Sequence, residues 1–367
     1  VNFIRSLFDN YFEFSLAFIN IKYYFYAMKI TLVLKYAILI VILVSCTKSE
    51  KQKARTTFVE FSTDIKITVY DVKKSETEKI NSLFEETRKI FEYFNSEMNP
   101  YEENSTLSRI NHLVPGTRIP VPESLKEILK VSQNIYKYTD KAFDIAIQPV
   151  VELWGFNTLS TPAVPDSAEL NELLTISRME CYNFINDSIE IIDGRCRLGL
   201  GGIAKGYAAD SAAAFLSSKG IKDFIVAAGG DILVRSTTPK TIGIRHPRIK
   251  NAVIDTLYIS NGAVSTSGDY EKFIIHEGKR YCHIINPDTG YGTSDCISAT
   301  VISDKSYLSD AFATAVFVMG REKGRYFIEK NNLSGIIYYL SQDGNILSDR
   351  INLENYLTPN HKFGKTE

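Results

Sequence analysis

The five cysteines of this 367-residue chain form no C-x-x-C pair and no Cys/His spacing of the zinc-binding kind, which excludes an ordinary structural zinc site. An excess of either charge is also missing. Lys and Arg number 42 and Asp and Glu 43, so no overall field draws the chain to nucleic acid or to an acidic membrane face, and any bound anion must be held by local geometry. There is no internal repeat, no low-complexity tract and no Pro/Ser-rich linker, which argues for one compact domain. The composition, 44% apolar and 23% charged, is ordinary for a globular protein and excludes little else.

No uncharged apolar run reaches the roughly 20 residues that span a bilayer. A shorter one is present. Met28 opens a basic stretch with Lys29 and Lys35, followed by an apolar run from Tyr36 to Val44, then Ser45 and Cys46. This reads as a secretory signal. Leu43-Val44-Ser45-Cys46 resembles a bacterial lipobox, which implies acylation of Cys46 and an exported, lipid-anchored protein in a bacterial membrane facing the periplasm. Residues 1–27 are expected to lie outside the folded protein as a mis-set start, 28–45 to be the signal, 46–56 a polar tether and 57–360 the catalytic domain. The other cysteines, Cys181, Cys196, Cys282 and Cys296, could pair in an oxidising compartment, but the simpler expectation is buried free thiols.

Apolar spacing predicts the scaffold. Phe58 to Tyr70 alternates as one strand, with Ile65, Ile67 and Val69 on the inner face, and Ser75 with Glu78 reads as a capping box. Ile80, Leu83, Phe84, Thr87, Phe91 and Phe94 share a helical face, as do Leu125, Ile128, Leu129, Ile135 and Tyr136 after Pro122. Strands are expected at 182–192 with a turn at Asn186-Asp187, at 224–228, at 241–245, and in a hairpin about Glu277-Gly278. Small-residue helices are expected from about Lys205 to Lys219 and from Ser306 to Met319, stopped by Gly220 and Gly320. Without a regular βαβ beat, the fold class is α+β, mixed sheets with packed helices.

Four stretches suggest chemistry. Leu198-Gly199-Leu200-Gly201-Gly202-Ile203-Ala204-Lys205-Gly206 runs straight into a helix, so its backbone amides and Lys205 suit a pyrophosphate. The loose dinucleotide fingerprint it also contains fails on context, because Asp193-Gly194-Arg195-Cys196-Arg197 is too polar for the buried strand a nicotinamide enzyme needs. Asp310 and Thr314 lie four apart on one face of an apolar helix and offer hard oxygen ligands of the kind magnesium takes beside phosphates. His283 ends a strand before a Pro/Gly turn and is a candidate acid or base. Ala263 to Tyr270 reads as a polar, small-residue loop.

In order along the chain, Phe61-Ser62-Thr63, Met98-Asn99-Pro100-Tyr101, Thr139-Asp140-Lys141-Ala142-Phe143-Asp144, Val151 to Phe156, the glycine segment, Ala228-Gly229-Gly230-Asp231, Thr266 to Tyr270, His283 to Gly290 and Asp310 to Ala315 resemble the FAD:protein FMN transferases. The resemblance implies magnesium-dependent transfer of FMN from FAD to Thr or Ser hydroxyls of exported electron-transfer subunits, with release of AMP. It places Phe61 and Tyr101 about the flavin, and Ala142, Phe143 and Asp144 on the adenylate side. Gly199, Lys205, His283 and Ile284 join the cofactor lining, and the Gly202 carbonyl, Asp310 and Thr314 hold Mg2+. His283 and Asp310 are the expected catalytic pair. Two positions depart from the pattern: Gly199 where the family commonly has Asp, and Phe61 where it has Met. An FAD pyrophosphatase yielding FMN and AMP, or a non-catalytic flavin-binding lipoprotein, are the alternatives.

Overall fold

The computed structural model describes residues 23, 24, 26, 28–36, 52–156 and 161–357. Residues 28–36 are helical and exposed, and belong to a separate unit from the one that begins at Gln52. Cys46 lies outside the described residues, and among those described no helix is long and apolar enough to cross a membrane.

Two strands stand where one was expected. β1 (Gln52–Glu60) turns at Phe61 and Ser62, both at positive φ, into β2 (Thr63–Val72). Residues 52–56, read from sequence as the end of a tether, are thus the first half of a strand. The alternation of Ile65, Ile67 and Val69 does bury them, but the turn carries none of the Gly, Asn or Asp that normally announce a hairpin. The start of α1 (Thr77–Met98) also differs: the capping box joins Lys73 to Glu76 in the preceding 3-10 turn, not Ser75 to Glu78. All six residues expected on the inner face of α1 are buried, joined by Met98.

After α2 (Thr106–Asn111) and the short β3 (Arg118–Pro120), α3 (Glu123–Tyr138) begins at Pro122 and buries its five expected apolar residues. Next come α4 (Gln148–Leu153), α5 (Ser167–Ile176) and the pair β4 (Tyr182–Ile185) and β5 (Ser188–Ile191), which turns at Asn186 and joins β3 in a three-stranded sheet. α6 (Ala204–Ser218) stops at Gly220, and β6 (Phe224–Ala228) leads into the long β7 (Asp231–Arg245) and β8 (Val253–Gly268). The hairpin β9 (Phe273–His276) and β10 (Lys279–Cys282) turns at Glu277-Gly278 as expected. Finally come β11 (Ser298–Ser303), α7 (Ser306–Lys330), β12 (Ser334–Leu340) and β13 (Ile346–Ile351). Gly320 breaks α7 at φ 76°, yet the chain resumes a helical path beyond it.

The main sheet runs β1-β2-β6-β7-β8-β11-β12-β13, antiparallel throughout. Alternation along its strands serves two cores: Leu233 and Ala263 face the one that also holds buried residues of α1, α6 and α7, while Val234 and Val264 face the other. Read across the sheet, the start of β2, the end of β6, the start of β7, the end of β8 and the start of β11 share one end. Residues 263–268, expected as a loop, are part of β8. Their hydroxyls find partners inside the fold, as when Thr266 Oγ1 meets Thr300 Oγ1 of β11 at 2.9 Å. Cys181 and Cys196 form a disulfide with Cα atoms 5.8 Å apart, where free thiols were expected; Cys282 and Cys296 are free and buried.

Candidate active site

At that end of the sheet the glycine segment meets α7. Ahead of α6, the Asn111 side chain clamps Leu198, accepting from its N at 2.8 Å and donating to its O at 2.9 Å, while Gly199 N donates to Ile145 O at 2.7 Å. The turn that follows brings Gly202 close to two side chains. A Cβ on Gly202 would stand 3.1 Å from Thr314 Oγ1 and 3.3 Å from the Phe143 ring, so Thr314 and Phe143 both border the space beside Gly202. Phe143 is held there because Asp140 and Lys141 take positive φ and Thr139 Oγ1 accepts from Phe143 N at 3.2 Å.

α7 is fastened over β8 by hydroxyls: Ser309 Oγ lies 2.8 Å from Ser265 Oγ, and Thr314 Oγ1 lies 3.3 Å from Ser267 Oγ. Asp310, one turn before Thr314, is buried beside Asp231, the first residue of β7. Lys205 Nζ donates to Gly201 O at 2.6 Å and to Asp310 Oδ2 at 3.4 Å, and sits 3.6 Å from Asp231 Oδ2. Burial, then the Asp231 charge, raise the Asp310 carboxyl well above the usual range, with Lys205 opposing them. Burial alone would lower the Lys205 ammonium, but Asp310 and Asp231 outweigh it and hold the lysine charged.

His283 N donates to Lys272 O at 3.0 Å, and its Nδ1 lies 3.3 Å from the same oxygen. A carbonyl only accepts, so Nδ1 carries the proton and Nε2 keeps its lone pair. Burial lowers His283 to about 4, aided by the Lys272 and Lys205 charges, so the ring is neutral at pH 7. Its neighbour Ile284 is partly buried against the main core.

The remaining expected residues sit around this centre. Phe61, in the β1–β2 turn, packs partly buried on the core, and Thr63 beside it lies under Gly229, where a Cβ would stand 2.9 Å from Thr63 Oγ1. Tyr101 is half-exposed and its hydroxyl accepts from Gln148 Nε2 at 2.7 Å. A Cβ on Gly199 would stand 2.1 Å from Gln148 Oε1. The departure at Gly199 thus has a local cause: the Gln148 amide fills the space a side chain there would need. Ala142 is partly buried and Asp144 buried; Asp144 Oδ1 accepts from Ala146 N at 2.8 Å, while Oδ2 has no partner.

Asp231 and Gln148 were not singled out from sequence as site residues. A carboxylate directly after Gly229-Gly230 at a strand start was the available signal for Asp231. For Gln148 there was none, since its role depends on packing against Gly199.

The donors suit a hard cation. Among the described residues no three His, Cys, Asp or Glu side chains form a cage; what is present is a buried carboxylate, a threonine hydroxyl beside it and the backbone of a glycine turn, a partial oxygen set that phosphates can complete. A buried carboxylate pair that shares one ammonium, with Asp231 Oδ2 lacking a hydrogen bond, fits the same ion.

Known proteins of similar sequence and fold include flavin transferases. The FAD:protein FMN transferase of Vibrio cholerae serotype O1 is 29% identical over 315 residues, covering 83% of this chain and 92% of that protein. The FAD:protein FMN transferase of Escherichia coli K12 is 29% identical over 67% of this chain and 73% of its own length. Among solved structures, the flavin transferase ApbE from Vibrio cholerae superposes with a TM-score of 0.75 at 26% identity, covering 84% of this chain and all of that one. The ApbE protein from Thermotoga maritima gives 0.73 at 29% identity, over 82% and 97%. The ApbE family pattern matches residues 61–337, and with the glycine turn and the acidic helix joined as described, the chain belongs to the ApbE family.

Proposed function

We propose that this protein transfers FMN from FAD to Thr or Ser hydroxyls of exported electron-transfer proteins and releases AMP. The observation that carries the reading is the ion pair of Lys205 with Asp310, beside the close approach of Gly202 to Thr314: segments about a hundred residues apart in sequence meet in one oxygen-rich cluster. The relatives' names support the transfer of FMN from FAD to protein, and the oxygen donors gathered here support a diphosphate substrate.

The Gly202 carbonyl, Asp310 and Thr314 would hold Mg2+, whose charge, when bound, offsets that of the pyrophosphate and of the departing AMP. The α6 N-terminus and Lys205 orient the same diphosphate. Phe143 closes one wall against water, and Tyr101, braced by Gln148, offers a ring to the flavin. The acceptor hydroxyl oxygen bonds to the FMN phosphorus as the bridging P–O bond breaks; the electron pair leaves with AMP and the hydroxyl proton passes to His283 Nε2. A neutral imidazole can take that proton, whereas an imidazolium could not.

Export and a lipid anchor at Cys46 are part of the proposal. The signal-like segment supports them, and so does the Cys181–Cys196 bond, which suits an oxidising compartment. Incubation with FAD, Mg2+ and an exported flavoprotein subunit, read by intact mass, tests the reaction. FMN added to the subunit with equimolar AMP is expected. Free FMN with no mass gain would make the protein a pyrophosphatase, and unchanged FAD a binder.

A further inference from the structure

Asp231 is buried, 3% exposed, and its Oδ2 accepts no hydrogen bond. It comes from a different part of the fold than the other site groups: it opens β7 directly after the Gly229-Gly230 turn and pairs in register with Ala228 and Ser265. Its nearest cation is Lys205 Nζ, 3.6 Å from Oδ2, and the same Nζ is 3.4 Å from Asp310 Oδ2. One ammonium therefore faces two buried carboxylates, in surroundings that stabilise charge poorly. The three N–H groups of Lys205 are divided among Gly201 O at 2.6 Å, Asp310 Oδ2 at 3.4 Å and, beyond hydrogen-bond distance, Asp231 Oδ2 at 3.6 Å.

We propose that Asp231 is a further carboxylate of the cation site, and that Lys205 is the placeholder that balances Asp231 and Asp310 while no divalent ion is bound. When the ion enters, the Lys205 ammonium is released from the pair and turns to the diphosphate. The inference deepens the reading of the site as a divalent-cation pocket and rests on it.

Mn2+ is the probe, titrated into the nucleotide-free protein and followed by the loss of free-ion signal in electron paramagnetic resonance, with no turnover required. Asp231→Asn, isosteric and uncharged, should weaken Mn2+ binding by about 10–100-fold, with Asp310→Asn as the reference for loss of a ligand. Lys205→Met should tighten Mn2+ binding, because the competing charge is gone. Wild-type affinity in a folded Asp231→Asn protein would overturn the proposal while leaving the transferase reading intact. If Asp231→Asn fails to fold, Lys205→Met decides: unchanged or weaker binding overturns the placeholder role and with it the proposal. A wild-type protein that takes up no Mn2+ would overturn the cation pocket itself, and this inference with it.

Discussion

Gly206 lies where α6 meets the start of α7, and it tests whether that helix contact governs the site. A Cβ there would stand 2.6 Å from Ser306 O and 2.7 Å from Tyr307 Cα, whereas ordinary contact begins at 3.4 Å. Gly206→Ala is therefore short of room by about 0.8 Å against backbone, which no rotamer change can clear. Two effects oppose each other. Alanine in a helix interior is favoured over glycine by about 0.8–1 kcal/mol, while overpacking of a close-fitted core is unfavourable by about 1–3 kcal/mol. The balance predicts a loss of up to roughly 2 kcal/mol, a fall of up to about 3 °C in thermal midpoint for a unit of this size. Activity should fall further, because relief comes from parting the helices, and that carries Lys205 and Gly202 away from Asp310 and Thr314. A misplacement near 1 Å corresponds to about a hundredfold in rate. Circular dichroism gives the midpoint, and FMN transfer at saturating FAD gives the rate. A variant with a raised midpoint and an unchanged rate would show that helix propensity wins and that the contact does not set the geometry.

Gly199→Ala drives its new methyl into Gln148 Oε1, so it should destabilise by about 1–3 kcal/mol; adding Gln148→Ala should recover part of that loss in urea titrations, and strict additivity would count against the packing argument. Burial raises Asp144 from its ordinary 3.8 to about 6, so the folded protein holds this proton more tightly than the unfolded chain does. Its contribution to stability is full below pH 4 and is lost as the pH rises through about 6, by roughly 3 kcal/mol. Asp144→Asn should remove that slope and raise the midpoint at pH 8; an unaltered slope would assign it to another group. The Cys181–Cys196 bond closes a loop of 15 residues, and replacing both cysteines by alanine should lower stability by about 3 kcal/mol. An unchanged denaturation midpoint would mean that the bond adds nothing to the fold.

The parts legible in the sequence were those where one physical cause dominates. The inner faces of α1 and α3 follow from 3.6-residue spacing alone, and Asn186, Gly220 and Gly278 mark turns because their positive φ suits those residue types. The β1–β2 hairpin was hidden because Phe61 and Ser62 adopt positive φ against type, held by the strands on either side. Residues 263–268 looked like a loop because their small polar side chains carry no apolar signal; cross-strand and strand-to-helix hydroxyl pairs replace it. At the site, the glycine cradle and the Asp310/Thr314 face were readable as local patterns. Asp231 joins them only through sheet register, and Gln148 only through the volume it takes above Gly199, and neither register nor volume is written in local sequence.

The most direct measurement is a crystal structure with Mn2+ and FAD, with data collected at the manganese absorption edge. One anomalous peak is expected in contact with the Gly202 carbonyl, Asp310 and Thr314 Oγ1, at on the order of 2 Å, with Asp231 and a pyrophosphate oxygen adding to the shell. A peak elsewhere, or FAD bound with no metal between its phosphates and α7, would contradict that expectation.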